Sequence, residues 1–190
     1  MKSLNQRYVG LLVLAVVLAL LPVVLTNPFY IDVAIRIALN AVVVIALNLL
    51  MGYTGQISLG HAGFYGLGAY ASAALTTHMN WPPILALLVG AAATGLLAFV
   101  VARPILKLKG HILAMATLGL GIIISIAINN ESQWTGGPDG IGVPAFTLFG
   151  FTVEGEKAWY GVSAALLLLV TWLALNLIDS PVGRALQAIH

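Results

Sequence analysis

Apolar residues in this chain come in long, nearly unbroken blocks rather than in the strict alternation of half-buried strands. Six blocks can be marked, at about 8–25, 31–51, 55–78, 84–102, 110–128 and 158–178. A bilayer core about 30 Å thick requires roughly 20 apolar residues per spanning helix, so each block predicts one span. The fourth, Ile84 to Ala102, carries no charge. The first follows Lys2 and Arg7 and resembles a signal peptide. It lacks a small-x-small cleavage site, however, and reads as an uncleaved helix. The pattern therefore predicts an all-α polytopic transmembrane helix bundle of about six spans over residues 1–178, with a long outer loop at 129–157.

Composition sharpens this picture by exclusion. The 190 residues are 61% apolar and 7% charged, against about 25% charged in an average soluble domain. So few charges cannot clothe a soluble globule, and so many apolar residues exclude disorder. Cysteine is absent, which removes disulfides and thiolate metal sites. The four histidines, 61, 78, 111 and 190, show no i, i+4 pair of the kind that holds zinc on a helix. No metal, no cofactor and no nucleic-acid partner are expected.

The rare charges carry the topology instead. With the N-terminus inside and six crossings, Lys2, Arg7, Arg103, Lys107, Lys109 and Arg184 fall on the inner side. Lys157 is the one basic residue outside, beside Asp32, Glu131, Asp139, Glu154 and Glu156. Positive charge accumulates on the cytoplasmic side, so both ends are expected there. Arg36 alone lies within a span, close enough to the outer end to snorkel to the headgroups, with Asn40 one turn below. The pair reads as an anchor, with admission of anionic substrate groups as the lesser reading.

Candidate chemistry concentrates in the third block, where six of the 20 glycines lie between Gly52 and Gly68. Glycine weakens a helix by up to about 1 kcal/mol per residue relative to alanine. Such density points to close backbone approach or to a broken helix of the kind that borders transport pathways. At 100° per residue, Ser58, His61, Tyr65, Ser72 and Thr76 share an arc of about 60°. Ala62, Gly66 and Ala73 beside them are small enough to admit another helix. The stripe either lines a pathway or only forms interhelical hydrogen bonds. Thr117, Gly121 and Ser125 in the fifth block form a small-residue ridge that helix packing explains, and His111 reads as interfacial. In the outer loop, Thr135-Gly-Gly-Pro-Asp-Gly is turn chemistry. The alternation after Phe146 suits a short hairpin or an interfacial segment. Such a loop is a linker or a docking surface for an external partner.

Three stretches resemble the permease subunits of ABC importers for branched-chain amino acids, the LivM-like branch. They are Gly55-Gln-Ile-Ser-Leu-Gly-His-Ala-Gly-Phe-Tyr-Gly-Leu-Gly-Ala-Tyr70, Lys109-Gly-His-Ile-Leu-Ala-Met-Ala-Thr-Leu-Gly119 followed by Thr135-Gly-Gly-Pro-Asp-Gly-Ile141, and Ser180-Pro-Val-Gly-Arg-Ala-Leu-Gln-Ala-Ile189. The resemblance implies a subunit of the bacterial or archaeal inner membrane, paired with a second permease subunit. Cytoplasmic ATPase subunits would power it, and an external substrate-binding protein would deliver the solute. It also implies that residues 179–190 begin the cytoplasmic coupling segment, with Ser180, Pro181, Gly183 and Arg184 in the ATPase contact. Family members continue well beyond this point, so the chain is expected to be cut short within that segment. No glycine-lysine phosphate loop is present, which leaves ATP hydrolysis to a partner and makes the chain itself no enzyme. Ser58, His61, Tyr65 and Ser72 are the candidates for the substrate pathway. Rival readings are the same architecture importing urea or short amides, an intramembrane hydrolase using Ser58 and His61, and a passive membrane scaffold.

Overall fold

The computed structural model describes residues 2–187 except Thr26, Ile57, Leu106, Lys109, Phe149 and Gly150. Helices follow the apolar blocks: α1 (Lys2–Val24), α2 (Pro28–Thr54), α3 (His61–His78), α4 (Pro83–Ile105), α5 (His111–Asn130), the single turn α6 (Ser132–Thr135), α7 (Glu156–Asp179) and α8 (Pro181–Gln187). The α2 boundaries show how local chemistry trims a block. Asn27 Oδ1 accepts from the Phe29 N–H at 3.0 Å, and Pro28 sits where a missing N–H is harmless. Gly55, at φ 65°, ends the helix in the left-handed conformation and donates to Met51 O at 3.1 Å. Because Gly55 is a helix stop, the third block does not run as one helix from 55. Its helix begins only at His61, after irregular backbone at Ser58–Gly60.

The all-α class holds, and the alternation after Phe146 forms one short hairpin, in which Thr147–Leu148 (β1) pairs antiparallel with Phe151–Thr152 (β2) in register Thr147↔Thr152. Val153 N–H extends this hairpin to Phe146 O at 2.8 Å. Among the described residues, four helices (α2, α4, α5 and α7) are long and apolar enough to cross a membrane. The apolar part of α1, Tyr8–Val24, is shorter, and α3 falls below the same apolar measure.

The chain divides into two compact units, Met1–Gly55 with Glu154–His190, and Gln56–Val153. In the first, α2 and α1 pack on α7 around Leu18, Ile31, Ala38, Tyr160, Ala164 and Leu167. Tyr160 buries its hydroxyl there and donates to Leu18 O at 2.7 Å. The reason lies four residues along α1. Pro22 has no N–H, so the carbonyl it would have satisfied, that of Leu18, is left open. An unpaired carbonyl is costly in an apolar medium, and the tyrosine supplies the missing donor. Tyr160→Phe is therefore expected to destabilise the protein by about 1–2 kcal/mol. In a Pro22→Ala background, where the helix regains its own donor, the same change should cost less than half as much. Unfolding equilibria in mixed detergent micelles measure both, and equal costs in the two backgrounds would refute this account.

In the second unit α3 lies against α4 and α5. A Cβ on Gly90 of α4 would stand 3.0 Å from Ser72 N, so the two backbones meet there directly. The α5 contact is tighter. A Cβ on Gly60 would lie 2.6 Å from Thr117 O, and one on Gly63 would lie 2.9 Å from Gly121 Cα. Leu59 N–H donates to Thr117 Oγ1 at 3.0 Å, and that hydroxyl donates in turn to Ala114 O at 2.9 Å. Glycine density in the third block thus serves close backbone approach. The contacts advance together along both helices, so α3 and α5 run parallel.

Beyond α5 the chain folds back on itself. The buried Thr135 Oγ1 lies 2.6 Å from Ile128 O and 2.7 Å from Glu131 O, and accepts from Gly137 N–H at 3.2 Å. Gly136, at φ 75°, has no room for a side chain against Gly140 O. His78 stacks edge-on against Trp134, with ring centroids 5.4 Å apart, and Thr77 Oγ1 donates to Gly142 O at 3.3 Å. The Thr-Gly-Gly-Pro-Asp-Gly stretch is therefore a built turn fastened to the end of α3.

Candidate functional site

The four pathway candidates do not form one stripe. Ser58 precedes α3 and is off its helical wheel; its Oγ lies 3.1 Å from His61 Nδ1. Both side chains are half-buried. The pair closes the irregular turn that leads into α3. In a hydrolytic triad the imidazole is oriented by a third group; among the described residues, His61 has no hydrogen bond to a carboxylate. Tyr65, one turn on, is exposed, whereas Ser72 lies beside Gly90 on the α4 side. The break before His61 is what separates them, because the 100° periodicity holds only inside a continuous helix.

The open space of this unit is on another face. A groove of about 380 Å³ runs between α3 and α5. Ala62, Gly66 and Tyr70 border it from α3, and Leu118, Ser125 and Asn129 are among its α5 walls. Ala62 and Gly66 were expected to admit a helix closely. Instead α5 touches the glycine positions 60 and 63, and the neighbouring face is left open. Of the fifth-block ridge, Thr117 and Gly121 pack as expected, and Ser125 and Gly121 also border the groove. The i, i+4 series 62, 66, 70 was visible in the sequence; its position beside a gap was not.

In the first unit, the segment after α7 turns sharply. Ser180 Oγ donates to Leu177 O at 2.6 Å and accepts from Gly183 N–H at 3.2 Å, which makes it the hinge between α7 and α8. Gly183 is buried, and a Cβ there would collide with the carbonyls of Leu177 and Ile178. Pro181 and Arg184 are exposed. The end of the predicted coupling segment, residues 188–190, lies outside the described residues. At the start of α2, Arg36 Nε donates to Asp32 Oδ2 at 2.9 Å in an exposed i, i+4 pair. Asn40 Nδ2 reaches only the backbone carbonyl of Arg36, at 2.9 Å. Arg36 is thus ion-paired with Asp32, with the Asn40 amide on its backbone carbonyl. His111 is exposed at the first turn of α5.

Helices of this length and apolarity, joined by tight polar turns, define a polytopic membrane protein. The family described as the branched-chain amino acid transport system, permease component, matches residues 29–190, and the chain belongs to that family. It is 34% identical to the high-affinity branched-chain amino acid transport system permease protein LivM of Salmonella typhimurium, over 91% of this chain and 48% of that protein. With the Escherichia coli protein of the same description the identity is 32%, over 90% of this chain and 47% of the other. The chain spans about half the length of these curated relatives. No solved structure matches it.

Proposed function

We propose that this chain acts as a permease subunit of a binding-protein-dependent ABC importer for branched-chain amino acids. The observation that carries this reading is the family match over residues 29–190. In this reading a second permease subunit completes the pore, cytoplasmic ATPase subunits drive it, and an external binding protein delivers the solute. All six long helices, α1 to α5 and α7, cross the bacterial or archaeal inner membrane, with both ends in the cytoplasm. The parallel course of α3 and α5 supports one intervening crossing by α4, and the charge asymmetry supports the orientation. Transport proceeds by alternating access, with ATPase motion entering through the segment that begins at Ser180. Ser58, His61, Tyr65 and Ser72 serve the pathway; none of the four is fully buried, and Tyr65 is the most open.

The test is uptake of labelled leucine into proteoliposomes holding the permease, its ATPase and its binding protein. ATP-dependent accumulation is the expected result. Uptake of urea or short amides in place of leucine would move the substrate class. No ATP-dependent uptake of either, with all partners assembled, would leave a passive scaffold.

A further inference from the structure

Acidic residues are spread unevenly along the chain, with none between Asp32 and Glu131. The second unit therefore holds only Glu131 and Asp139, both past the C-terminal end of α5. At the other end of α5, where α4 leads into it, the sequence places Arg103, Lys107 and Lys109 within seven residues. The 20 residues of α5 rise about 30 Å, which separates Glu131 from that end. Charge is screened over about 8 Å at physiological salt, so no carboxylate of this unit neutralises the cluster. Arg103 and Lys107 are exposed, and among the described residues neither side chain has a hydrogen bond or ion pair.

The cluster ends an apolar ridge. Leu96, Phe99, Val100 and Arg103 recur at i, i+3, i+4 and i+7, which is one face of α4, and all four are exposed. From Pro83 to Arg103 the helix rises about 30 Å, the thickness of the hydrocarbon core. Arg103 thus stands where acyl chains give way to headgroups. Its Cζ lies 5.0 Å from the centre of the Phe99 ring. That cation–π contact lays the guanidinium against the ridge and leaves its N–H edge open to an acceptor. A fork of N–H donors matches phosphate oxygens, and Lys107 adds a second cation just past the end of α4. Ridge, guanidinium and ammonium follow the order of parts in an anionic amphiphile.

We propose that this end of α4 is a binding site for an anionic phospholipid. Arg103 and Lys107 hold its phosphodiester, and one acyl chain lies along Val100, Phe99 and Leu96. A zwitterionic lipid fits the ridge as well but brings its own cation to the two basic side chains. Charge therefore decides between the two lipids. Phe99 is a positioning residue, because it fixes the guanidinium without touching the phosphate. The site rests on α4 crossing the bilayer and is independent of the solute carried.

The test titrates the full chain, purified in a neutral detergent, with phosphatidylglycerol or phosphatidylcholine of identical acyl chains. Native mass spectrometry counts the bound lipid. Phosphatidylglycerol should bind about tenfold or more tightly, at about fivefold for each basic side chain near the surface. Arg103→Gln combined with Lys107→Gln should remove that preference. Lys157→Gln, an equal loss of charge at an exposed lysine elsewhere, should keep it. Phe99→Leu leaves the ridge apolar and should weaken phosphatidylglycerol about two- to fivefold, with phosphatidylcholine unchanged. If the double variant fails to fold, salt decides on the parent, whose preference should fade at high ionic strength. Equal binding of the two lipids by the parent, or a preference that survives the double substitution or salt, would overturn the site. Displacement of the lipid by equimolar glycerol 1-phosphate would replace it with a free-phosphate site. A preference that vanishes when the ATPase subunits bind would give the cluster to a protein partner. Binding of neither lipid would remove α4 from the bilayer, and the membrane reading would fall with the site.

Discussion

Replacing Gly63 with valine is expected to separate α3 from α5 and to destabilise the protein by about 3 kcal/mol, the upper part of the range for overpacking. A Cβ at this position would stand 2.9 Å from Gly121 Cα, a backbone atom that no rotamer change can move. Relief therefore requires the two helices to part. That would also break the bond from Leu59 N–H to Thr117 Oγ1, since Leu59 and Gly63 lie on the same stretch of contact. Gly60→Val should behave the same way, because Thr117 O lies 2.6 Å from its Cβ position. Gly66→Val is the matched control, expected to fold and to change stability by less than about 1 kcal/mol. Unfolding in mixed micelles, followed by the loss of helical ellipticity, reads all three. Equal losses at 60, 63 and 66 would mean that helix propensity, and not contact with α5, sets the cost of leaving glycine.

These three glycines also mark the boundary of what the chain's pattern reveals. Block length and apolarity anticipate α4 and α7 to within a few residues, because a spanning helix is dictated by bilayer thickness and by nothing beyond the segment itself. The Asn27–Pro28 start and the Gly55 stop of α2 are local chemistry of the same kind. Periodicity groups residues on one face but does not say what that face meets. Gly60 and Gly63 against backbone, and Gly66 against the tip of the Ile128 side chain at an ordinary 3.7 Å, are identical letters separated only by the path of α5. The bond from Tyr160 to Leu18 joins residues 142 positions apart. No periodicity signals it, although the need for some donor follows from Pro22 alone. The Asp32–Arg36 pair was within reach, since i, i+4 spacing is a helix-surface rule. The polar stripe assumed one continuous helix from Ser58, whereas the helix begins at His61, so Ser58 is not carried on the same helical face as the other candidates.

At the other end of the chain, Gly183 and Arg184 should separate folding from coupling. Any side chain at 183 would meet the carbonyls of Leu177 and Ile178, which already close α7. Gly183→Ala is expected to cost about 2–3 kcal/mol and to unfasten α8, and Gly183→Glu at least as much. Loss of transport in either would therefore report a broken turn rather than a lost partner contact. Arg184 offers the cleaner probe, being exposed one residue on, with its backbone N–H donating to Ser180 O at 3.2 Å. Arg184→Glu should leave the stability of the helices unchanged. If α8 is where the ATPase engages, reversing this charge should weaken that association about tenfold or more. Leucine uptake per ATP hydrolysed should then fall, with recovery in Arg184→Lys. The distinguishing measurement is ATPase binding to the assembled permease at low and high salt, because an exposed charge contact is screened over about 10 Å at 0.1 M. Binding that is insensitive to both the charge reversal and salt would move the coupling contact away from α8, while Gly183 would keep its purely structural role.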